Sequence, residues 1–106
     1  MGNDTVVNLR SWIKDVEELQ TVRINLPLMA DVDCDVLRQY GCAKENYIEK
    51  TIRPTSTGVF IVDADKRIRW SMRNSPSVGR NFYEVLRQLD ALLMTTFHRI
   101  VIPSNW

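Results

Sequence analysis

The sequence has no block of like charge, no long apolar run and no glycine-rich loop. Its 14 basic and 13 acidic residues leave a net charge of +1 over 106 residues. Neither nucleic acid nor an anionic membrane surface is therefore a favoured partner. No stretch approaches the roughly 18 apolar residues that a membrane span requires. The start, Met1-Gly2-Asn3-Asp4-Thr5, is polar where a secretory signal carries its apolar core, which makes the cytoplasm the default compartment. Asn3-Asp4-Thr5 spells the N-glycosylation sequon, and without a secretory signal the match is read as accidental. The chain also lacks a phosphate-cradling loop and a Gly-x-Ser-x-Gly nucleophile elbow, so no cofactor is expected and serine-hydrolase chemistry has no visible nucleophile.

Thiols and imidazoles are scarce: Cys34, Cys42 and His98 are all there are. Their spacing matches no zinc-ligand pattern, so no metal is expected. Two cysteines in a reducing compartment read as free thiols. If the helix between Cys34 and Cys42 is regular, their eight-residue separation spans roughly 12 Å. A disulfide needs about 4.4–6.8 Å between Cα atoms. Cys34 near a helix N-terminus gains some help in ionising, but Asp31, Asp33 and Asp35 oppose it.

What is present is ordinary for a soluble domain: 44% hydrophobic and 25% charged residues. The whole chain, 1–106, is expected to form one domain. At this size folding hides only about 60–70% of the unfolded surface, so losing any core strand matters. Val6, Leu9, Ile13 and Val16 recur at helical spacing, with Trp12 beside them and Asp4 or Thr5 as N-cap. Leu26-Pro27-Leu28-Met29 reads as a short strand, at an edge because Pro27 cannot donate to a ladder. Asp31 or Asp33 can cap a short helix to about Tyr40, with Gly41 after its end. Residues 42–56 read as a loop.

A hairpin follows. Its first strand, Val59–Val62, is apolar throughout, as a strand buried on both faces would be. Its second alternates Ile68, Trp70 and Met72 with Arg69, Ser71 and Arg73. Asn81 with Glu84 three residues on suggests a capping box. It opens a helix whose apolar stripe is Phe82, Val85, Leu86, Leu89, Leu92 and Leu93. The tail 100–106 reads as extended. Trp12, Trp70 and Trp106 read as core or interface residues. The order α-β-α-β-β-α fits an α/β or α+β class, and α/β is the class expected.

Three stretches together resemble the peroxiredoxins, in particular their one-cysteine, peroxiredoxin-6-like branch. The first is Thr5-Val6, Trp12-Ile13-Lys14-Asp15, Leu26-Pro27-Leu28-Met29-Ala30-Asp31 and Tyr40-Gly41. The second is Val59-Phe60-Ile61-Val62-Asp63 with Lys66 and Ile68. The third is Gly79-Arg80-Asn81-Phe82 with Glu84, Leu86 and Arg87, followed by Pro103-Ser104-Asn105-Trp106. The resemblance covers essentially the whole chain and only a middle portion of the family's. It implies a partial thioredoxin-like fold without the N-terminal and central strands. It also implies thiol-dependent peroxide reduction, with a peroxide substrate, a thiol reductant and a role in redox homeostasis.

The same resemblance places the family's Pro-x-x-x-Thr/Ser-x-x-Cys motif upstream of the Trp12 helix, so the peroxidatic cysteine is expected to be missing here, as is the C-terminal extension. The family's active-site arginine falls at Thr57, which is neutral. Arg53 lies four residues earlier and would need a loop rearrangement to replace it. Arg80 matches a second arginine near the family's active site and is the candidate supporting residue; a surface residue in the first turn of a helix is the plain alternative. Cys34 and Cys42 align with no catalytic cysteine. Family members pair through the edge strand equivalent to Ile68–Met72, which makes a homo- or heterodimer through that strand an expectation. With strands missing between Leu26–Met29 and Val59–Val62, unpaired apolar edges and marginal stability are expected.

Overall fold

The computed structural model describes Gly2 and residues 4–106; Met1 and the sequon's Asn3 lie outside the described residues. The chain divides into two compact units, Met1–Thr55 and Ser56–Trp106.

The first unit opens with helix α1, Val6–Gln20. Thr5 is its N-cap: the Thr5 hydroxyl accepts the Asn8 N–H at 3.2 Å. Asp4 steadies the same turn, accepting from the Thr5 N–H and from Asn8 Nδ2. The helix ends at Thr21, which takes a left-handed conformation (φ 53°). The following segment is extended but is not the strand expected at Leu26–Met29. Its one sheet contact among the described residues is a parallel bridge between Gly2 and Ala30. A strand is defined by its neighbour, and these residues have a neighbour at one position only.

Helix α2, Asp35–Gln39, is short. Its cap comes from Asp31, upstream of its first residue. Asp31 Oδ1 accepts the Val36 N–H at 3.3 Å and Oδ2 accepts the Leu37 N–H at 2.8 Å. Cys34 occupies the N-cap position itself in a left-handed conformation (φ 57°) and gives no side-chain cap. Gly41 follows the helix at φ 72°, a conformation that glycine adopts without steric cost.

The region read as a loop, 42–56, holds a hairpin instead: β1, Ala43–Asn46, pairs antiparallel with β2, Thr51–Pro54. The turn explains it. Asn46 Oδ1 accepts the N–H groups of Ile48 and Glu49, an Asx-type turn that closes the chain on itself. Polar strands on both sides hid the pairing from a search for apolar alternation.

The second unit begins with β3, Thr57–Val62, and β4, Ile68–Asn74, paired antiparallel with an irregularity between Ile61 and Val62. In their turn Asp63 accepts the Arg67 N–H at 2.9 Å and Lys66 takes a left-handed conformation (φ 63°). That Arg67 N–H, and then Arg69, hold the Asp63 carboxyl below the usual carboxylate range. Helix α3, Phe82–His98, is capped by Asn81, which accepts from the N–H groups of Tyr83 and Glu84. The expected capping box is half made, since Glu84 directs its carboxylate to Arg87 and Gln88. The tail runs without a strand to a turn at Ser104-Asn105.

The mixed α/β class stands. The element order changes in two places: the second expected element is unpaired, and an extra hairpin precedes β3. Burial departs further from expectation. Among the described residues only Cys34, Cys42, Ala43, Ala91 and Asp31 are buried. β3, read as buried on both faces, is half-buried at most, with Val62 exposed. The α3 stripe is open at Phe82, Leu86, Leu89 and Leu93, and Trp12 and Trp106 are exposed rather than core. The chain exposes 8785 Å². Two fully separate compact bodies of half its mass would together expose roughly 7,300 Å². Large apolar side chains such as Leu26, Phe82 and Leu86 are among the exposed ones. Asp31, the one charged residue among the buried ones, should be the most sensitive polar position: Asp31→Ala is expected to cost about 1–2 kcal/mol of local stability. The check is hydrogen exchange at the Val36 and Leu37 amides, with Asp31→Asn showing the smaller loss.

Candidate functional site

The positions singled out by sequence fall into separate parts of the chain. In the second unit, the β3–β4 register sets Thr57 opposite Asn74. Cross-strand partners share a face of the sheet, so Thr57 stands at the end of the face that also carries Val59, Met72, Ile61 and Trp70. The Thr57 hydroxyl is buried and has no hydrogen-bond partner. A hydroxyl in that state costs about 1–3 kcal/mol, and it supplies no positive charge.

Asn74 does more. Its Nδ2 donates to the Gly79 carbonyl at 2.9 Å, tying the end of β4 to the residue just before Arg80. The loop between is drawn in by a bond from the Val78 N–H to the Ser75 carbonyl at 2.9 Å. Thr57, Asn74 and the Gly79–Arg80 step are thus linked in sequence through the ladder. Asn74 was not singled out by sequence. The signal was there, an asparagine at a strand end before Ser-Pro-Ser, where side-chain amides take over turn bonds.

Arg80 is exposed and lies over the Phe82 ring, 5.4 Å from its centroid. Such an exposed cation–π contact contributes about 0.5–1 kcal/mol. Its guanidinium stands at the N-terminal end of a 17-residue helix, where backbone N–H groups also favour an anion. Residues 56–106 contain no cysteine and one histidine, His98.

Farther along α3, Arg87 grips Glu84 with two bonds of 2.7 Å and donates to the Trp106 carbonyl at 3.1 Å. The Arg87 hydrogen bonds, and then that of Gln88, pull the Glu84 carboxyl down from its ordinary 4.5 to about 2.

Both thiols lie in the first unit and are free and buried. Burial first, then the charges of Asp31, Asp33 and Asp35, push the Cys34 thiol up from its ordinary value. That is the opposite of what a nucleophilic thiol needs. Cys42 directs its sulfur at the Tyr40 carbonyl, 3.8 Å away. Arg53, the arginine closest in sequence to Thr57, is ion-paired with Glu49 at 2.8 Å on the β1–β2 hairpin. Among the described residues no group of three or more His, Cys, Asp and Glu side chains gathers as a metal site, and no helix is long and apolar enough to cross a membrane.

No family model matches the chain. It is 38% identical to the 1-Cys peroxiredoxin of Dictyostelium discoideum over 97% of its own length and 42% of that protein's. It is 34% identical to peroxiredoxin 2 of Thermoplasma acidophilum, covering 97% of this chain and 49% of that one. Among solved structures, peroxiredoxin 6 of Arenicola marina matches with a TM-score of 0.81 at 28% identity, over 97% of this chain and 48% of that one. A yeast mitochondrial 1-Cys peroxiredoxin, whose thiol is resolved via glutathione and thioredoxin systems, matches with a TM-score of 0.79 at 32% identity, over 97% and 50%.

Two outcomes are expected at these sites. Cys34 should react with iodoacetamide at pH 7 more slowly than an unfolded-state cysteine, because burial and then the neighbouring carboxylates push its thiol up. Mass spectrometry of the alkylated peptide checks this, and urea should abolish the difference. For Glu84, the folded pKa is depressed, so its stabilising bonds are fully present above about pH 4.5 and lost as the pH falls toward about 2. Carboxyl ¹³C NMR should place its midpoint near 2, and Arg87→Ala should move it back toward the ordinary carboxylate range.

Proposed function

We propose that this chain, which spans about half the length of the curated relatives it matches, is by homology a peroxiredoxin-family chain that serves peroxide reduction as the supporting half of an active site. One observation supports the reading: Cys34, the thiol nearest a helix start, is buried beside carboxylates and pushed away from ionisation, and the reading takes neutral Thr57 to stand where the family carries its arginine.

The chemistry makes the division plain. A thiolate attacks one peroxide oxygen, the O–O bond breaks, sulfur becomes sulfenic acid, and the departing oxygen takes a proton to leave as water or an alcohol. A thiol reductant then returns the sulfur to its starting state. The first step needs an ionised thiol and a cation where charge develops on the leaving oxygen. In this chain Arg80 is the residue suited to the second task, held in place through Asn74 and Gly79. The nucleophile for the first comes from another polypeptide segment. The setting is the reducing cytoplasm, the cofactor requirement is none, and the role is antioxidant.

The second reading is a non-catalytic module that pairs with a full-length peroxiredoxin through Ile68–Met72. Among the described residues β4 is laddered on one side only, to β3, and Ile68 is 56% exposed. An edge of this kind invites another strand.

Peroxide consumption with dithiothreitol tests the first reading. The chain alone and its Cys34→Ser, Cys42→Ser variant should both match the reductant blank. Turnover by the chain that disappears in the variant would mean that one of its own thiols is the nucleophile. For the second reading, co-sedimentation with a full-length one-cysteine peroxiredoxin should be reduced at least tenfold by Ile68→Lys.

A further inference from the structure

Of the four prolines, only Pro76 follows a hydroxyl residue, Ser75. The pair sits on the loop that joins β4 to α3, and every residue from Ser75 to Arg80 is exposed. The Val78 N–H donates to the Ser75 carbonyl at 2.9 Å. Ser75–Val78 is therefore a β-turn, with Pro76 at the position that its fixed φ suits. The hydroxyls of Ser75 and Ser77 lie 3.0 Å apart. Both residues are exposed, so neither hydroxyl is committed to the interior.

Two arginines stand at the stems of this loop. Asn74 Nδ2 on the Gly79 carbonyl, at 2.9 Å, draws the stems together. Arg73 and Arg80 thus flank the serines on either side in sequence. Each guanidinium lies over an aromatic ring, Arg73 over Phe60 at 5.8 Å and Arg80 over Phe82 at 5.4 Å. No acidic residue occurs between Asp65 and Glu84, whereas Lys66, Arg67, Arg69, Arg73 and Arg80 all do. A negative charge placed on the loop would meet cations from both stems and no carboxylate from its own segment.

We propose that Ser75 is a phosphorylation site for a proline-directed serine/threonine kinase, and that the flanking Arg73 and Arg80 receive the phosphate. The step is phosphoryl transfer from a nucleoside triphosphate held by the kinase. Ser75 Oγ bonds to the γ-phosphorus, and the bond from that phosphorus to the β–γ bridging oxygen breaks. The nucleoside diphosphate leaves with the electron pair, and the hydroxyl proton passes to a base of the kinase. Proline at the next position is read by what it lacks. It has no N–H, so a groove offering no acceptor there receives Pro76, and would leave any other residue's N–H unsatisfied. The product carries about −1.5 to −2 charge and three acceptor oxygens. An aromatic face attracts a guanidinium only through its quadrupole, whereas a phosphate offers charge-assisted bonds. Arg80 therefore turns from Phe82 to the phosphate. Where Arg80 supports charge on a leaving oxygen, as in the reading above, phosphorylation withdraws that support. The site itself rests on the loop and not on that reading.

The test incubates the chain with a mitogen-activated protein kinase and adenosine triphosphate and maps the product by tandem mass spectrometry. One phosphate should be found, on Ser75. Incorporation should fall at least tenfold in Ser75→Ala and in Pro76→Ala, and stay within twofold of the parent in Ser77→Ala. In ³¹P NMR the phosphate on the chain should titrate at lower pH than on a phosphorylated peptide of residues 70–79, which lacks Arg80, and Arg80→Gln should remove the difference. The proposal is overturned if the phosphate falls on Ser77 or another hydroxyl, or if Pro76→Ala is phosphorylated like the parent. It is also overturned if the chain accepts no phosphate, whether or not the peptide does, or if the phosphate titrates alike in chain and peptide. No peroxide enters these measurements, so their failure and a failure of the turnover assay are separate results.

Discussion

The first half of the chain depends on one carboxylate. Asp31 is buried, and both its oxygens are spent on the N–H groups that open α2. Its backbone N–H meets Gly2, and its carbonyl accepts from Cys34. A single residue thus fastens the chain's start, the extended segment and the short helix. Five residues are too few to hold a helix by propensity, so α2 exists because Asp31 supplies the bonds its first turn lacks. The buried cysteines follow from the same arrangement. Cys34 is drawn in by the turn that Asp31 closes, and burial first, then the neighbouring carboxylates, push its thiol up.

The second half is organised by turn chemistry rather than by a core. β3 and β4 are aligned by their turn, α3 by its asparagine cap, and the link between them by Asn74 on the Gly79 carbonyl. These are local bonds, each correct without the burial that usually accompanies it. That is why the elements stand clearly while their apolar faces remain open. It also explains how a likeness to solved structures coexists with so little buried side chain: local bonds alone can set the elements of a fold.

Much of this was legible in sequence, for reasons that differ by element. α1, α3 and the β3–β4 hairpin carry strong periodicity and explicit caps in Thr5 and Asn81, signals that local physics obeys. Cys34's surroundings were legible too, since three aspartates within three residues on either side outweigh a short helix. Leu26–Met29 misled because its apolar pattern states what the segment is suited for, whereas a strand also requires a neighbour. β1–β2 was missed because its strands are polar and its turn is made by the Asn46 side chain. Thr57 was an expectation from the resemblance, whereas the isolation of its hydroxyl and its pairing with Asn74 needed the β3–β4 register.

The bond from Arg87 to residue 106 engages a backbone carbonyl and not the indole. The clamp on the tail therefore engages the backbone and not side-chain chemistry at that position. Arg87 answers at once to Glu84 and to the tail, so a change at Arg87 reaches two places far apart in sequence.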